Sequence, residues 1–181
     1  MEDLLHINKT FEKVVAIGSS IQHKEFEGCI FKHCDFSNSD FSNNTFLDCE
    51  FIDCNLSMWQ VANTSLQSVF FKKCKVLGIQ FQSCTDFLFQ VNFEDCILDY
   101  ASFANKKMPK TKFVSCSMKE VNFVGTNLTQ AVFDHTILEK TDFRTSYNYS
   151  IDPEINRIKK ARFSILAVSG LLDKYDIDIE K

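Results

Sequence analysis

Apolar and polar positions along this chain repeat every five residues. Phe26, Phe31, Phe36, Phe41, Phe46 and Phe51 open the run, and Leu56, Val61, Leu66, Phe71, Val76 and Phe81 continue it. The frame extends backwards through Ile21, Ala16 and Phe11. After Phe81 it slips by two residues, resumes with Leu88, Phe93, Leu98 and Phe103, and runs on to Phe143, with Phe163 again in frame. The position two residues before each centre is mostly small, beginning Cys29, Cys34, Ser39, Asn44, Cys49 and Cys54. The other three positions of each unit are mostly polar.

A period of five fits neither the 3.6 of an amphipathic helix nor the 2 of a half-buried strand. It requires a chain that turns a corner every five residues while the centre and minus-two side chains point inward. Four such sides make a square coil of 20 residues that buries its inner face only by stacking on its neighbours. The pattern therefore predicts an all-β solenoid, a quadrilateral β-helix of about eight coils and about 31 five-residue units. At the β-ladder spacing the rod is roughly 35–40 Å long.

Composition then explains itself. The chain has 181 residues, with 19 Phe and 8 Cys against 5 Gly and 2 Pro. Fifteen of the Phe are centres, and all eight Cys fall at the small inward position. Cys34, Cys54 and Cys74 are 20 apart, as are Cys96 and Cys116, so with the slip absorbed these five form one internal column. Such thiols read as small apolar fillers, because zinc needs four ligands converging tetrahedrally. The alternative is a redox-sensing column. His6, His23, His33 and His135 are scattered without a metal-binding spacing. No phosphate-cradling glycine loop, nucleophile elbow, HExxH or CxxC occurs. A convex rod offers no natural pocket for paired carboxylates, so neither enzymatic activity nor a cofactor or metal is expected.

Charge narrows the partners. Residues 1–60 hold 10 acidic and 4 basic side chains, residues 61–120 hold 5 and 8, and residues 121–181 hold 9 and 8. An acidic first third argues against direct nucleic-acid binding. No segment approaches a membrane span, and the N-terminus lacks the basic and apolar regions of a signal peptide. The expected compartment is the cytoplasm, where thiols stay reduced.

Three places depart from the inward rule. Trp59 occupies a minus-two position and is expected to bulge the wall or turn outward. At the slip, Phe87 and Phe89 flank Leu88 and form either an exposed apolar patch or a buried bulge. Residues 106–112, with Lys106, Lys107, Lys110, Lys112 and Pro109, are expected to form a protruding corner, either simply solvated or a basic patch with Lys72, Lys73 and Lys75. The solenoid is assigned to residues 1–163, with an N-terminal cap at about 1–10. Beyond it, Ser164 is a good helix N-cap, and Ile165, Leu166, Val168, Leu171, Leu172 and Tyr175 supply a broad apolar face. Residues 164–181 are therefore expected to form a C-terminal α-helix and tail that caps the rod and joins two copies in a twofold dimer. A cap without dimerisation is the alternative.

Asp35-Phe36, Asp40-Phe41, Asn55-Leu56, Asn92-Phe93, Asn122-Phe123, Asn127-Leu128 and Asp142-Phe143 carry the second and third letters of the motif A-(D/N)-(L/F)-x-x. The sequence thereby resembles the pentapeptide-repeat family over about residues 11–163, and the resemblance implies a right-handed β-helix. The ending, from Ala161-Arg-Phe-Ser to Asp176-Ile-Asp-Ile, is similar to the C-terminal dimerisation module of the Qnr-type branch, although the long projecting loops of plasmid-borne members are missing. That resemblance implies a non-enzymatic, DNA-mimicking homodimer. Its acidic surface would bind DNA gyrase or topoisomerase IV and protect them from quinolones. That role needs carboxylates arrayed at regular intervals as phosphates are, and the best candidates are Glu27, Asp35, Asp40, Asp48, Glu50 and Asp53, to which the family assigns no strict motif. The alternative is a generic repeat scaffold for another protein partner.

Overall fold

The computed structural model describes residues 3–180. Its strands are short and all pair in parallel with the next coil. β1 (Leu5–Ile7), β3 (Glu25–Glu27), β5 (Thr45–Leu47) and β7 (Ser65–Gln67) form one sheet. β2 (Thr10–Glu12), β4 (Ile30–Lys32), β6 (Glu50–Ile52), β8 (Val69–Lys72), β9 (Val91–Glu94), β10 (Lys112–Val114) and β11 (Val132–Asp134) form a second. Register is set by the 20-residue turn: Phe26 faces Phe46 and Phe31 faces Phe51. Two further sides are held by single bridges, such as Val15 to Asp35 to Asn55 and Ser20 to Asp40 to Gln60. The result is a parallel-strand solenoid with four faces per turn.

The coil count is lower than the sequence pattern implies. From Phe11 to Phe133 the second sheet advances through about six turns, not eight. The last units, around Ile158 and Phe163, form no further strand and continue the stacking by isolated bridges at Arg157 and Arg162 and by the Phe163 ring on Phe143 at 5.2 Å.

The core is a ladder of rings. Phe11, Phe31, Phe51, Phe71, Phe93, Phe113 and Phe133 stack with centroids 4.6–5.4 Å apart and planes within 14°. Neighbouring faces meet edge-on, as Phe103 and Phe113 do at 5.9 Å and 71°. Both geometries are favoured by the ring quadrupole. The frame also reaches one unit further back than Phe11: His6 sits in β1 at a centre position, buried and stacked on Phe26 at 4.9 Å.

Trp59 is inside the rod, contrary to the expectation that it would bulge or turn out. It is 2% exposed and packs 5.2–5.7 Å from Phe41, Phe46 and Phe51. Room comes from its own coil, where the following and preceding centres are Val61, Leu66 and Leu56 in place of Phe. A large side chain beside smaller ones is a compensation that cores tolerate well.

No α-helix forms in residues 164–180, which corrects the second expectation. The segment folds into 3-10 turns at Val168–Leu171 and Asp173–Tyr175. Gly170 explains why. A Cβ there would lie 2.3 Å from the carbonyl oxygen of Tyr149, and Ile151 donates its amide to the Gly170 carbonyl. The chain is pulled flat onto the rod end, and a short helix containing glycine cannot compete with that contact. Lys174 adds ion pairs to Asp152 at 2.8 Å and to Glu154.

Candidate interaction surface

The inward positions are committed to packing and to hydrogen bonds. Four thiols of the column, Cys34, Cys54, Cys74 and Cys96, also donate to a backbone carbonyl of the coil below, as Cys54 does to Phe31 and Cys74 to Phe51, both at 3.3 Å, while Cys116 donates to Val114 in its own coil. Thr64, Thr126, Thr136 and Thr141 make the same bond, 23 residues back. The thiols are therefore donors as well as fillers. Burial pushes Cys49, Cys84 and Cys116 up to about 12, so they stay protonated.

The six candidate carboxylates do not form a stripe. They lie on all four faces, and no two are partners in the ladder: Glu27 faces Leu47, Asp35 faces Asn55, Asp40 faces Gln60, and Glu50 faces Phe70. Asp35 and Asp40 serve the corners that follow them. Asp35 accepts from the Ser37 amide at 3.0 Å and the Ser37 hydroxyl at 2.6 Å, and Asp40 accepts from the Ser42 amide at 2.9 Å and from Gln22. Asn55, Asn122, Asn127 and Asp142 do likewise two residues on. These are Asx-type turns, and they give the second letter of the repeat its physical reason. Burial works to raise the Asp35 carboxyl, but the Ser37 bonds outweigh it, so it titrates below the usual range. Hydrogen bonding from Ser42 lowers Asp40 in the same way. Glu27, Asp48, Glu50 and Asp53 are exposed, and Asp48 and Glu50 flank the corner between β5 and β6.

Residues 106–112 do not protrude as one basic corner. Lys106 points inward and is 2% exposed. Its ammonium donates to the Cys84 carbonyl, pairs with Asp86 at 2.7 Å, and lies 5.0 Å from the Phe89 ring centroid. Lys107, Pro109, Lys110 and Lys112 are exposed, while Lys72 is paired with Glu94 at 2.7 Å. The rung carrying Glu94 and Asp95 separates the two lysine groups, so they are not one patch.

The two-residue slip forms a small loop. Phe89, not Leu88, takes the inward position, and its amide bonds to the Asp86 carbonyl. Phe87 and Leu88 form the tip, 73% and 62% exposed. The sequence left both ring positions open, and the structure sends one each way. Of the C-terminal candidates, Ile165 and Leu166 are 86% and 92% exposed, Leu172 and Tyr175 are exposed, Val168 is at the edge of exposure, and Leu171 packs partly against the core.

A stacked solenoid with its interior filled and its polar side chains on outward positions is a repeat scaffold in architecture. Family patterns described as "Pentapeptide repeat region" and "Pentapeptide repeats (8 copies)" match residues 24–85 and 111–146, together over half of the chain. The chain belongs to the pentapeptide-repeat family. Among solved structures it is similar to trypsin-treated QnrB1, a plasmid-mediated fluoroquinolone resistance protein, at 18% identity and a TM-score of 0.43, covering 98% of each chain. It is also similar to HetL, a protein involved in heterocyst differentiation regulation from the cyanobacterium Nostoc, at 9% identity and a TM-score of 0.41 over 90% of this chain and 89% of that one. A pentapeptide-repeat protein of the Arabidopsis thaliana thylakoid lumen matches at 16% identity and a TM-score of 0.27, over 70% and 66%. Scores this low leave function open. No curated protein matches the chain. Among the described residues, no helix is long and apolar enough to cross a membrane.

Proposed function

We propose that this protein is a non-enzymatic protein-interaction module that acts as a cytoplasmic homodimer. The observation that carries this reading is the exposed apolar side chains of residues 165–179 at the C-terminal end of the rod. Ile165 and Leu166 are almost fully exposed, and Leu172, Tyr175, Ile177 and Ile179 are exposed further along the same segment. Exposed apolar surface of that kind marks a protein contact, and a second copy meeting it about a twofold axis covers it with itself. Sedimentation of the wild type and of Leu166→Asp tests this. The expected result is a dimer converted to a monomer, and an unchanged mass overturns the contact.

The finer reading gives the rod a type II DNA topoisomerase as its partner, bound by partial DNA mimicry with protection from quinolones. The exposed carboxylates of the second and third coils, Glu27, Asp48, Glu50 and Asp53, support it. The lysines of the middle coils restrict any mimicry to that end, and Asp35 and Asp40 contribute little because their oxygens are engaged in turns. Titration of the purified protein over gyrase supercoiling, with and without ciprofloxacin, is the test. Binding predicts a change in activity or drug sensitivity that Glu50→Lys with Asp53→Lys abolishes. No change in either quantity leaves the generic scaffold as the function.

A further inference from the structure

The face that carries β1, β3, β5 and β7 is built in two electrical halves around the Asp86–Leu88 loop. Below the loop its outward positions hold Glu25, Glu27 and Asp48, and above it Lys107 and Lys110. Among the described residues, Glu27, Asp48, Lys107 and Lys110 take part in no ion pair within the chain. A groove of about 570 Å³ crosses this junction, with Leu47 and Asp48 on one side and Pro109 and Lys110 on the other. The exposed Phe87 and Leu88 stand at its margin.

These positions correspond pairwise. Leu47 and Pro109 each follow an inward centre by one residue, and Asp48 and Lys110 each follow by two, both with positive φ. A twofold axis lying in the plane of this face, parallel to its strands and passing midway between the two rungs, turns the rod end for end. It brings Leu47 of one copy onto Pro109 of the other and Asp48 onto Lys110, twice each. The floor between them is Ser65, Gln67 and Ser68, small or uncharged side chains that leave space for the loop tip of the facing copy. The surface is thus complementary to itself in charge and shape, which an isologous contact requires.

We propose that the occupant of this groove is a second copy of the chain, packed antiparallel along this face, with Phe87 of each copy seated over β7 of the other. Lys106 acts as a positioning residue, because its buried ammonium ties Asp86 and the Cys84 carbonyl and so fixes the loop that supplies the contact. A face one pentapeptide wide buries less than the roughly 1,600 Å² of a standard interface. The association is therefore weak and, with exposed charges opposed, sensitive to salt. The inference goes beyond the C-terminal dimer proposed above and does not depend on it.

The experiment is sedimentation velocity over a wide concentration range at low and high salt, in a Leu166→Asp background that removes any C-terminal contact. The expected result is concentration-dependent self-association that weakens with salt. Asp48→Lys and Lys110→Asp should each weaken it at least tenfold, Phe87→Ser likewise, and the double variant Asp48→Lys with Lys110→Asp should restore it. All three positions lie on the surface, and circular dichroism checks that the fold survives. A chain that stays monomeric throughout overturns the proposal, as does self-association that ignores the single charge reversals or is not recovered by the exchange.

Discussion

Cys54 Sγ donates to the carbonyl oxygen of Phe31 at 3.3 Å while accepting the amide of Cys34 at 3.4 Å. The thiol thus bridges coils at a corner where a larger side chain has no room. Thr64 repeats the outgoing bond to Phe41 at 2.8 Å. The first prediction follows from that equivalence. Cys54→Thr keeps a donor and is expected to change stability by less than about 1 kcal/mol, whereas Cys54→Ala loses both the bond and packing and costs about 1–3 kcal/mol. Urea denaturation measures both. Equal losses in the two variants would show that the bond contributes nothing beyond volume. The same burial predicts that a bulky thiol reagent labels Cys49, Cys84 and Cys116 only on unfolding.

Corners supply the second prediction. Among the described residues, twenty-five non-glycine positions have positive φ, nearly all two places after an inward centre, and none of them is Val, Ile or Thr. A left-handed conformation costs an L-residue roughly 1–2 kcal/mol, and a β-branched one more. Tyr100→Gly and Glu120→Gly should therefore each raise stability by up to about 1 kcal/mol, less the extra chain entropy of glycine. Asn63→Val should lower it by about 1–2 kcal/mol. Thermal melts of the three variants check the signs, and a stabilising Asn63→Val would contradict the account.

Most of this architecture was legible because a large residue recurs where four walls converge. Phe26 to Phe51 reveal the period, and Asp35 and Asn55 reveal the corners. What escaped depends on contacts between coils. The size of Trp59 implies a bulge or an outward turn, but the ring is held inside against Phe41, Phe46 and Phe51 of the neighbouring faces. The five-residue frame resumes at Leu88, but the two extra residues form a loop whose tip is Leu88, and Phe89 is the residue buried behind it. The run from Ile165 to Tyr175 has a helix-like apolar pattern, but the seat of Gly170 against Tyr149 is tertiary and invisible in the pattern. For the candidate carboxylates, the sequence shows only that all six lie in the second and third coils. It could not show that the carboxylates would be dealt out over four faces, nor that Asp35 and Asp40 would be spent on turns.

His6 carries the third prediction. Its Nε2 is buried without a partner, its Nδ1 lies 3.4 Å from Lys9 Nζ, and its ring stacks on Phe26. Burial holds its pKa below the ordinary value and the Lys9 charge lowers it further, while Asp3 opposes both. A depressed histidine stabilises the fold fully above its unfolded pKa of about 6.5. That contribution is lost as pH falls through the lower folded value. Acid should therefore loosen the first coil first, seen as faster hydrogen exchange in β1 below about pH 6.5. His6→Phe removes the unpaired nitrogen, extends the stacked rings, and is expected to add about 1 kcal/mol while flattening the pH dependence in β1. Exchange in β1 that keeps its pH dependence in His6→Phe would assign the effect elsewhere.

Lys106 separates charge from packing and yields the last prediction. The side chain is 2% exposed, whereas that of its partner Asp86 is 82% exposed, so water screens much of their attraction. The Cys84 carbonyl and the Phe89 ring face must compensate most of the desolvation of the ammonium. Lys106→Met keeps the stem and removes the charge, and replacing a buried charge with an apolar group of similar size is often neutral. It should alter global stability by no more than about 1 kcal/mol, whereas Lys106→Ala opens a cavity and should cost about 2–3 kcal/mol. Both variants release Asp86, so both should speed hydrogen exchange at residues 86–89, including the stable Met variant. A loop equally protected in Lys106→Met would mean that Phe89 packing alone fixes it, and that the buried ammonium is a cost the fold bears without structural return.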